Sequence, residues 1–238
     1  MIRTIYVETN TELSGVRMGV SPNRNIIRNK VIYDIAYGQD TNSYGIFCER
    51  TCNYNKFSNN IIYKIGNTCA IDGGWWVELA QNNKWYNNTI YDCGKTGLLL
   101  GNSKNSEFRN NIIMKAGIAE ITVCDKSVQN GGNLFSNNLY YNTSRAQIGV
   151  WNSAPNQPPY NNNHPANLTL SQWNAASGEQ NSFSGDPKFV NASGADFHLQ
   201  SSSPAIDKGM TLSTVTTDFE GTTRPQGPAY DIGADEFG

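Results

Sequence analysis

Two glutamates stand where acid–base chemistry would need them. Glu49 ends the segment Gly45-Ile46-Phe47-Cys48-Glu49, and Glu78 ends Gly74-Trp75-Trp76-Val77-Glu78. If the two segments are neighbouring parallel strands in one register, the carboxylates sit about 4.8 Å apart. Carboxylates that close repel, which raises one pKa and sets an acid beside a base. A calcium ion held between them, neutralising an acidic sugar, is the other use of the pair, with Arg50 or Lys104 as base or charge clamp. Phe47, Trp76 and Trp151 fall on the same side, and flat aromatic rings on an open sheet suit stacking on sugar rings. The structural alternative is that Glu49 pairs with Arg50 or a nearby loop and that Trp76 is covered by a long turn. Lys95, Asp72 and Asp125 are weaker partners in adjoining turns.

The elements that must position these groups come from a repeat. Phe57-Ser58-Asn59-Asn60-Ile61-Ile62-Tyr63-Lys64-Ile65 returns in altered form around Asn29, Asn87, Asn110 and Asn137, at intervals of 30, 28, 23 and 27 residues. A period in that range marks one supersecondary unit stacked on copies of itself. Apolar residues lie two before the asparagine (Ile27, Phe57, Trp85, Phe108, Phe135) and three after it (Ile32, Ile62, Ile90, Ile113, Tyr140), in short runs that read as strands. Asparagine tolerates the left-handed backbone, and its amide can hydrogen-bond to an identical neighbour, so stacked asparagines predict a ladder along a tight bend. Position plus five reads Asp34, Lys64, Asp92, Lys115, which stacking would bring together with alternating sign. The pattern predicts an all-β parallel β-helix.

Period-two alternation in the Gly-led strands sends Ile46, Trp75, Leu98 and Ile121, then Cys48, Val77, Leu100 and Val123, inward. Phe47, Trp76, Leu99 and Thr122, then Glu49, Glu78, Gly101 and Cys124, are expected outward. Residues 1–152 are read as the coils. Residues 153–238 are read as a loop-rich segment packing on or extending them, with a short helical turn between 168 and 176.

The repeat resembles that of right-handed parallel β-helix proteins of the pectate-lyase-like superfamily. The tail, with Ser203-Pro204-Ala205-Ile206-Asp207-Lys208-Gly209, Arg224-Pro225 and Asp231-Ile232-Gly233-Ala234-Asp235-Glu236-Phe237, resembles the C-terminal module of secreted bacterial β-helix proteins. These resemblances imply about six to eight coils, an extracellular or surface setting and a polysaccharide partner. Cleavage by β-elimination is implied for uronic-acid polymers, whereas the close carboxylates would suit a retaining hydrolase. A non-catalytic structural or adhesive solenoid is the alternative, and the residues do not choose between them.

Composition narrows the rest. Charged residues are 16% of the chain with a net charge of −2, giving no electrostatic footprint for nucleic acid. No run is long enough for a membrane span. The N-terminus lacks signal-peptide architecture, so the chain is read as an excerpt or a short member whose uncapped N-terminal end invites self-association. The five cysteines match no zinc spacing. Cys48 and Cys93 are read as core residues, with Cys52–Cys69 as the candidate disulfide. The tail aspartates are read as turn caps or partners of Arg224, with a calcium site as the competing idea. His164 and His198 carry no triad.

Overall fold

The structure is a computed structural model that describes residues 12–19, 22–38, 42–73, 79–124, 131–142, 148–151 and 166–238. Each repeat makes one coil, and equivalent strands pair in parallel with the next coil. Sheet 1 contains Glu12–Met18, Asn42–Cys48, Thr68–Asp72, Thr96–Leu100, Ala119–Cys124 and Ile148–Trp151, with Ala166–Leu168 added antiparallel. Sheet 2 contains Ile26–Arg28, Lys56–Ser58, Lys84–Tyr86, Glu107–Arg109 and Leu134–Ser136. Sheet 3 contains Val31–Ile35, Ile61–Ile65, Thr89–Cys93, Ile112–Ala116, Leu139–Tyr141 and Phe183–Ser184. Ala80–Gln81 and Ser103–Lys104 form a small strip in the chain between sheets 1 and 2. The parallel β-helix expected from the repeat is therefore the fold.

Both apolar columns of the repeat enter the core between the sheets. Equivalent residues stack: Phe57 on Trp85 at 3.9 Å between ring centroids and Phe108 on Phe135 at 4.9 Å. The helix Leu170–Ser177 closes the far end, its Trp173 standing edge-on to Phe135 at 5.2 Å. That helix begins where Thr169 and Gln172 form a reciprocal capping box.

The asparagine ladder exists, but it is one residue further along than expected. The repeat's key asparagines, Asn29, Asn59, Asn87, Asn110 and Asn137, take positive φ of 51 to 56° and make the bend. The residue after each of the last four points inward and carries the ladder, while Lys30, after Asn29, joins it only through its backbone N–H, which donates to Asn60 Oδ1. Asn60 Nδ2 donates to Asn88 Oδ1 at 3.0 Å, Asn88 Nδ2 to Asn111 Oδ1 at 3.0 Å and Asn111 Nδ2 to Asn138 Oδ1 at 3.1 Å. The key asparagines face the other way and hold the C-terminal segment. Asn29 donates to the carbonyls of Asp218 and Phe219, Asn59 to Thr217, Asn87 to Asp231 and Gly233, Asn110 to Met210 and Asn137 to Lys208.

The C-terminal segment thus lies along the solenoid. Its Phe189, Phe197, Leu199, Ala205 and Ile232 pack on the outer side of sheet 3, against Ile61, Tyr63, Tyr91, Ile112 and Leu139. The tail carboxylates serve its turns. Asp218 Oδ1 accepts from the backbone N–H of Glu220, Gly221 and Thr222, and Asp231 accepts from those of Asp207 and Phe237. Arg224 pairs with Glu236 and not with the aspartates. Among the described residues no cluster of three or more His, Cys, Asp or Glu could hold a metal ion, and no helix is long and apolar enough to cross a membrane.

Two further expectations change. The disulfides among the described residues are Cys48–Cys52 and Cys69–Cys93, with Cα separations of 5.7 and 5.6 Å, and Cys124 is buried and belongs to neither. Arg50, at φ 53°, turns the chain back so that Cys52 meets Cys48 instead of Cys69. The charge column pairs in part: Lys115 Nζ lies 2.9 Å from Asp92 Oδ2.

One close approach explains a glycine column that recurs with the repeat. A Cβ on Gly94 would lie 2.0 Å from the Gly66 carbonyl oxygen, and one on Gly117 would lie 1.9 Å from that of Gly94. Successive turns between sheets 3 and 1 stack backbone on backbone, leaving no room for a side chain.

Candidate functional site

Sheet 1 was expected to set Gly74–Glu78 between the segments of Glu49 and Leu98. The strand in that place is Thr68–Asp72: Ile46 pairs with Ala70 and Ala70 with Leu98, while Cys48 pairs with Asp72 and Asp72 with Leu100. The glycine-led pattern misleads here because the third coil enters its strand through Thr68-Cys69-Ala70, whose small residues pack inside just as well. Gly73, not Glu78, follows that strand and donates its N–H to the Cys48 carbonyl at 3.1 Å. Trp76 and Glu78 lie outside the described residues, as do Asp125 and His164; so does the side chain of Trp151, whose backbone pairs with Cys124.

Glu49 is committed to arginines. Its Oε2 accepts from Arg17 Nε at 3.1 Å and Nη2 at 3.0 Å, and Arg50 Nε lies 3.4 Å from Oε1. Each oxygen therefore lies against a guanidinium. Phe47 is not an open stacking platform either: it is 1% exposed, clustered with Tyr44, Ile71, Leu99 and Cys124 on the outer side of sheet 1. That side is lined by a second apolar cluster, so alternation along the strand could not tell outward from solvent-exposed. Thr122 is buried too. Lys104 lies in the small strip that follows sheet 1, paired with Gln81 in the column that also contains Asn53.

Asp72 has moved inside the solenoid. Its Oδ1 accepts from Asn83 Nδ2 at 2.9 Å and Trp85 Nε1 at 3.0 Å, and its Oδ2 from Ser103 Oγ at 2.6 Å. Burial pushes its pKa up, partly offset by those donors. Glu179 plays the same part at the closed end, accepting from Asn138 Nδ2, Tyr140 Oη and Trp173 Nε1. Both carboxylates terminate polar networks in the core and face no surface.

Glu120 differs. It is buried in the sheet 1 strand Ala119–Cys124; Oε1 accepts from the Ala116 N–H at 3.3 Å and Asn142 Nδ2 at 2.8 Å, while Oε2 has no hydrogen-bond partner among the described residues. Burial raises its pKa from 4.5 to about 7. A carboxyl whose folded pKa is raised favours the folded state below its unfolded pKa, and that advantage is lost as pH rises through the folded value. The protein should therefore lose roughly 2 kcal/mol of stability between pH 5 and 8 from this group. Glu120→Gln should flatten that part of the profile, read from denaturant midpoints at each pH. An unchanged slope would mean that Glu120 does not titrate there.

A further outward array lies on sheet 2, where no pair of glutamates marks it in the sequence. A second polar ladder builds it. Asn25 Nδ2 donates to Asn55 Oδ1 at 3.1 Å and Asn55 Nδ2 to Asn83 Oδ1 at 3.2 Å, while Asn83 N–H donates to Ser106 Oγ at 3.1 Å and Ser106 N–H to Asn133 Oδ1 at 3.0 Å. Each of these residues precedes a key asparagine by four, a spacing that was readable in the sequence. Before each stands a bend residue of positive φ: Arg24, Tyr54, Asn82, Asn105 and Gly132. Beyond the bend, Ile26, Lys56, Lys84, Glu107 and Leu134 stack in one outward row, and Arg28, Ser58, Tyr86, Arg109 and Ser136 in the next. Arg24 lies over the Tyr54 ring at 5.9 Å, and Lys84 over that of Tyr86 at 5.9 Å. Tyr54 is 54% exposed.

The family described as "right handed beta helix region" matches residues 5–164, more than half of the chain. No curated protein matches it.

Proposed function

The chain belongs to the right-handed β-helix family, and from that premise we propose that it is an extracellular polysaccharide-binding solenoid that does not cleave its ligand at Glu49. The observation that carries this reading is the outward array of sheet 2, where Arg28, Lys56 and Lys84 come from three successive coils, spaced about 4.8 Å apart, beside the exposed Tyr54. Such a spacing is comparable to the rise of a pyranose residue in an extended glycan. An exposed tyrosine next to a guanidinium offers a sugar both an apolar face and hydrogen-bond donors. The two disulfides support an oxidising compartment. The engagement of Glu49 by Arg17 and Arg50 argues against its use as acid or base.

The test is a panel of uronate and neutral polysaccharides, with and without calcium. Binding is followed by affinity electrophoresis, unsaturated ends by ultraviolet absorbance and cleavage by reducing sugar. Retardation by at least one polysaccharide, with no new ends, is expected. New ends that vanish in Glu49→Gln would restore Glu49 as catalytic. Failure to bind any member of the panel would favour a structural solenoid, the reading to which the buried Phe47 already lends weight.

A further inference from the structure

Charge on this molecule is segregated in a way that the net value of −2 conceals. Sheet 2, its bend and the adjoining strip carry Arg24, Arg28, Lys56, Lys84, Lys104 and Arg109, against Glu107 as the one carboxylate of those described segments. Glu107 is already occupied: Tyr86 Oη donates to it at 2.5 Å, and Arg109 Nε lies 3.0 Å away. Arg24, Arg28, Lys84 and Lys104 make no ion pair with a described residue.

The array is also shaped. Along one side of sheet 2 the C-terminal segment forms a wall, where Leu212, Val215 and Tyr230 pack on Tyr86. Lys56 Nζ donates to the Thr214 carbonyl at 2.7 Å and Asn110 Nδ2 to that of Met210 at 2.8 Å, which fixes the wall to the floor. Thr211, Ser213 and Thr214 remain exposed along it and present hydroxyl groups. The opposite side is the bend with Arg24 and Tyr54. Burial lowers the pKa of Lys56, and the charges of Arg28 and Lys84 nearby lower it further. Like charges held together on a fixed scaffold are relieved by a polyanion laid over them.

Resting on the polysaccharide-binding reading, we propose that this trough binds an acidic polysaccharide, its chain running along the solenoid axis, with carboxylate or sulfate groups against Arg28, Lys56 and Lys84 and a sugar ring on Tyr54. The charge pattern selects the class of glycan, and parallel stacking sets the direction. A ligand lying across the coils would meet one cation per strand; one lying along them meets a cation from each successive coil.

The test uses the whole chain, with polygalacturonate, a sulfated glycan, a neutral glucan and duplex DNA as probes, at low and high salt. Binding to either acidic glycan, weakened by salt, is expected. A cation beside an anionic surface is worth about 1 kcal/mol, so Arg28→Gln with Lys84→Gln together should raise Kd about tenfold or more. Tyr54→Ala should weaken binding without changing its salt dependence. The unfolding midpoints of the variants report whether they remain folded, and charge restoration by Arg28→Lys with Lys84→Arg should recover binding. Acidic-glycan binding untouched by these substitutions would overturn the site. Binding of the neutral glucan alone would overturn the acidic class while leaving the polysaccharide reading in place. Tighter binding of DNA than of either acidic glycan would overturn the glycan assignment, and silence toward every glycan would overturn both.

Discussion

Arg224→Met is expected to cost about 3–5 kcal/mol, because it leaves the Glu236 carboxylate buried without its counter-charge. Arg224 is buried and spends both terminal nitrogens: Nη1 on Glu236 Oε2 at 2.6 Å and the Asp231 carbonyl at 3.2 Å, Nη2 on the carbonyls of Gly233 and Ala234, each at 2.9 Å, while its Nε has no hydrogen-bond partner among the described residues. Glu236 in turn accepts from the backbone N–H of Gln226 and Asp231. One guanidinium therefore ties together the turns that lie against Asn87 and its neighbours. Burial lowers the arginine's pKa, but a guanidinium stays charged at any working pH. The readouts are the unfolding midpoint and the rate of proteolysis within residues 185–238. The double variant Arg224→Met with Glu236→Leu should recover much of the loss, since the unpaired charge is then gone. A single variant within about 1 kcal/mol of the parent would show that water reaches Glu236 and that the pair is not a keystone.

The fate of the C-terminal segment bears on the proposed binding site, because residues 210–215 form one wall of the trough. Loosening that segment should weaken acidic-glycan binding even though Arg28 and Lys84 are untouched. Arg224→Met thus links the stability argument to the functional one. Without such coupling, the wall would be a bystander.

Much of this architecture was legible because stacking converts a one-dimensional period into a three-dimensional column. Phe57, Trp85, Phe108 and Phe135 announce the core, and the recurring asparagines announce a bend. What could not be read was the division of labour inside each Asn-Asn pair. Both residues are amides, and only the backbone decides that the first takes the left-handed conformation and faces out while the second faces in. Cys69 and Thr68 hid the third strand of sheet 1 for a similar reason: small residues satisfy a coil interior as well as the larger Trp75 and Val77 of the glycine-led pattern. Phe47 shows the limit of alternation, which separates two faces but does not say that one of them is wet. The basic trough was missed because averaging charge over the chain erases its location. Arg24, Lys56 and Lys84 are far apart in sequence and become neighbours only through the 30- and 28-residue repeats.

The ladder assignment makes a prediction that separates the two asparagines of one coil. Asn88 Oδ1 accepts from both the N–H and Nδ2 of Asn60, and Asn88 Nδ2 donates to the Phe57 carbonyl and to Asn111 Oδ1. Asn88→Ala strands these buried groups, each unsatisfied one costing about 1–3 kcal/mol, so a loss of about 3–5 kcal/mol is expected after partial relaxation. Water cannot readily repair it, since Asn60, Asn88 and Asn111 are all buried between stacked coils. Asn87→Gly is the informative companion. Glycine accepts the φ of 51° without strain, and the inner ladder stays whole. Only the bonds to the Asp231 and Gly233 carbonyls and the acceptor for Asn110 Nδ2 are lost, for about 1–2 kcal/mol. Asn88→Ala should therefore lower the global unfolding midpoint, whereas Asn87→Gly should chiefly hasten proteolysis of the C-terminal segment. If Asn87→Gly proved the more damaging to the midpoint, the outer asparagine and its hold on the tail, rather than the inner ladder, would be what keeps the coils together.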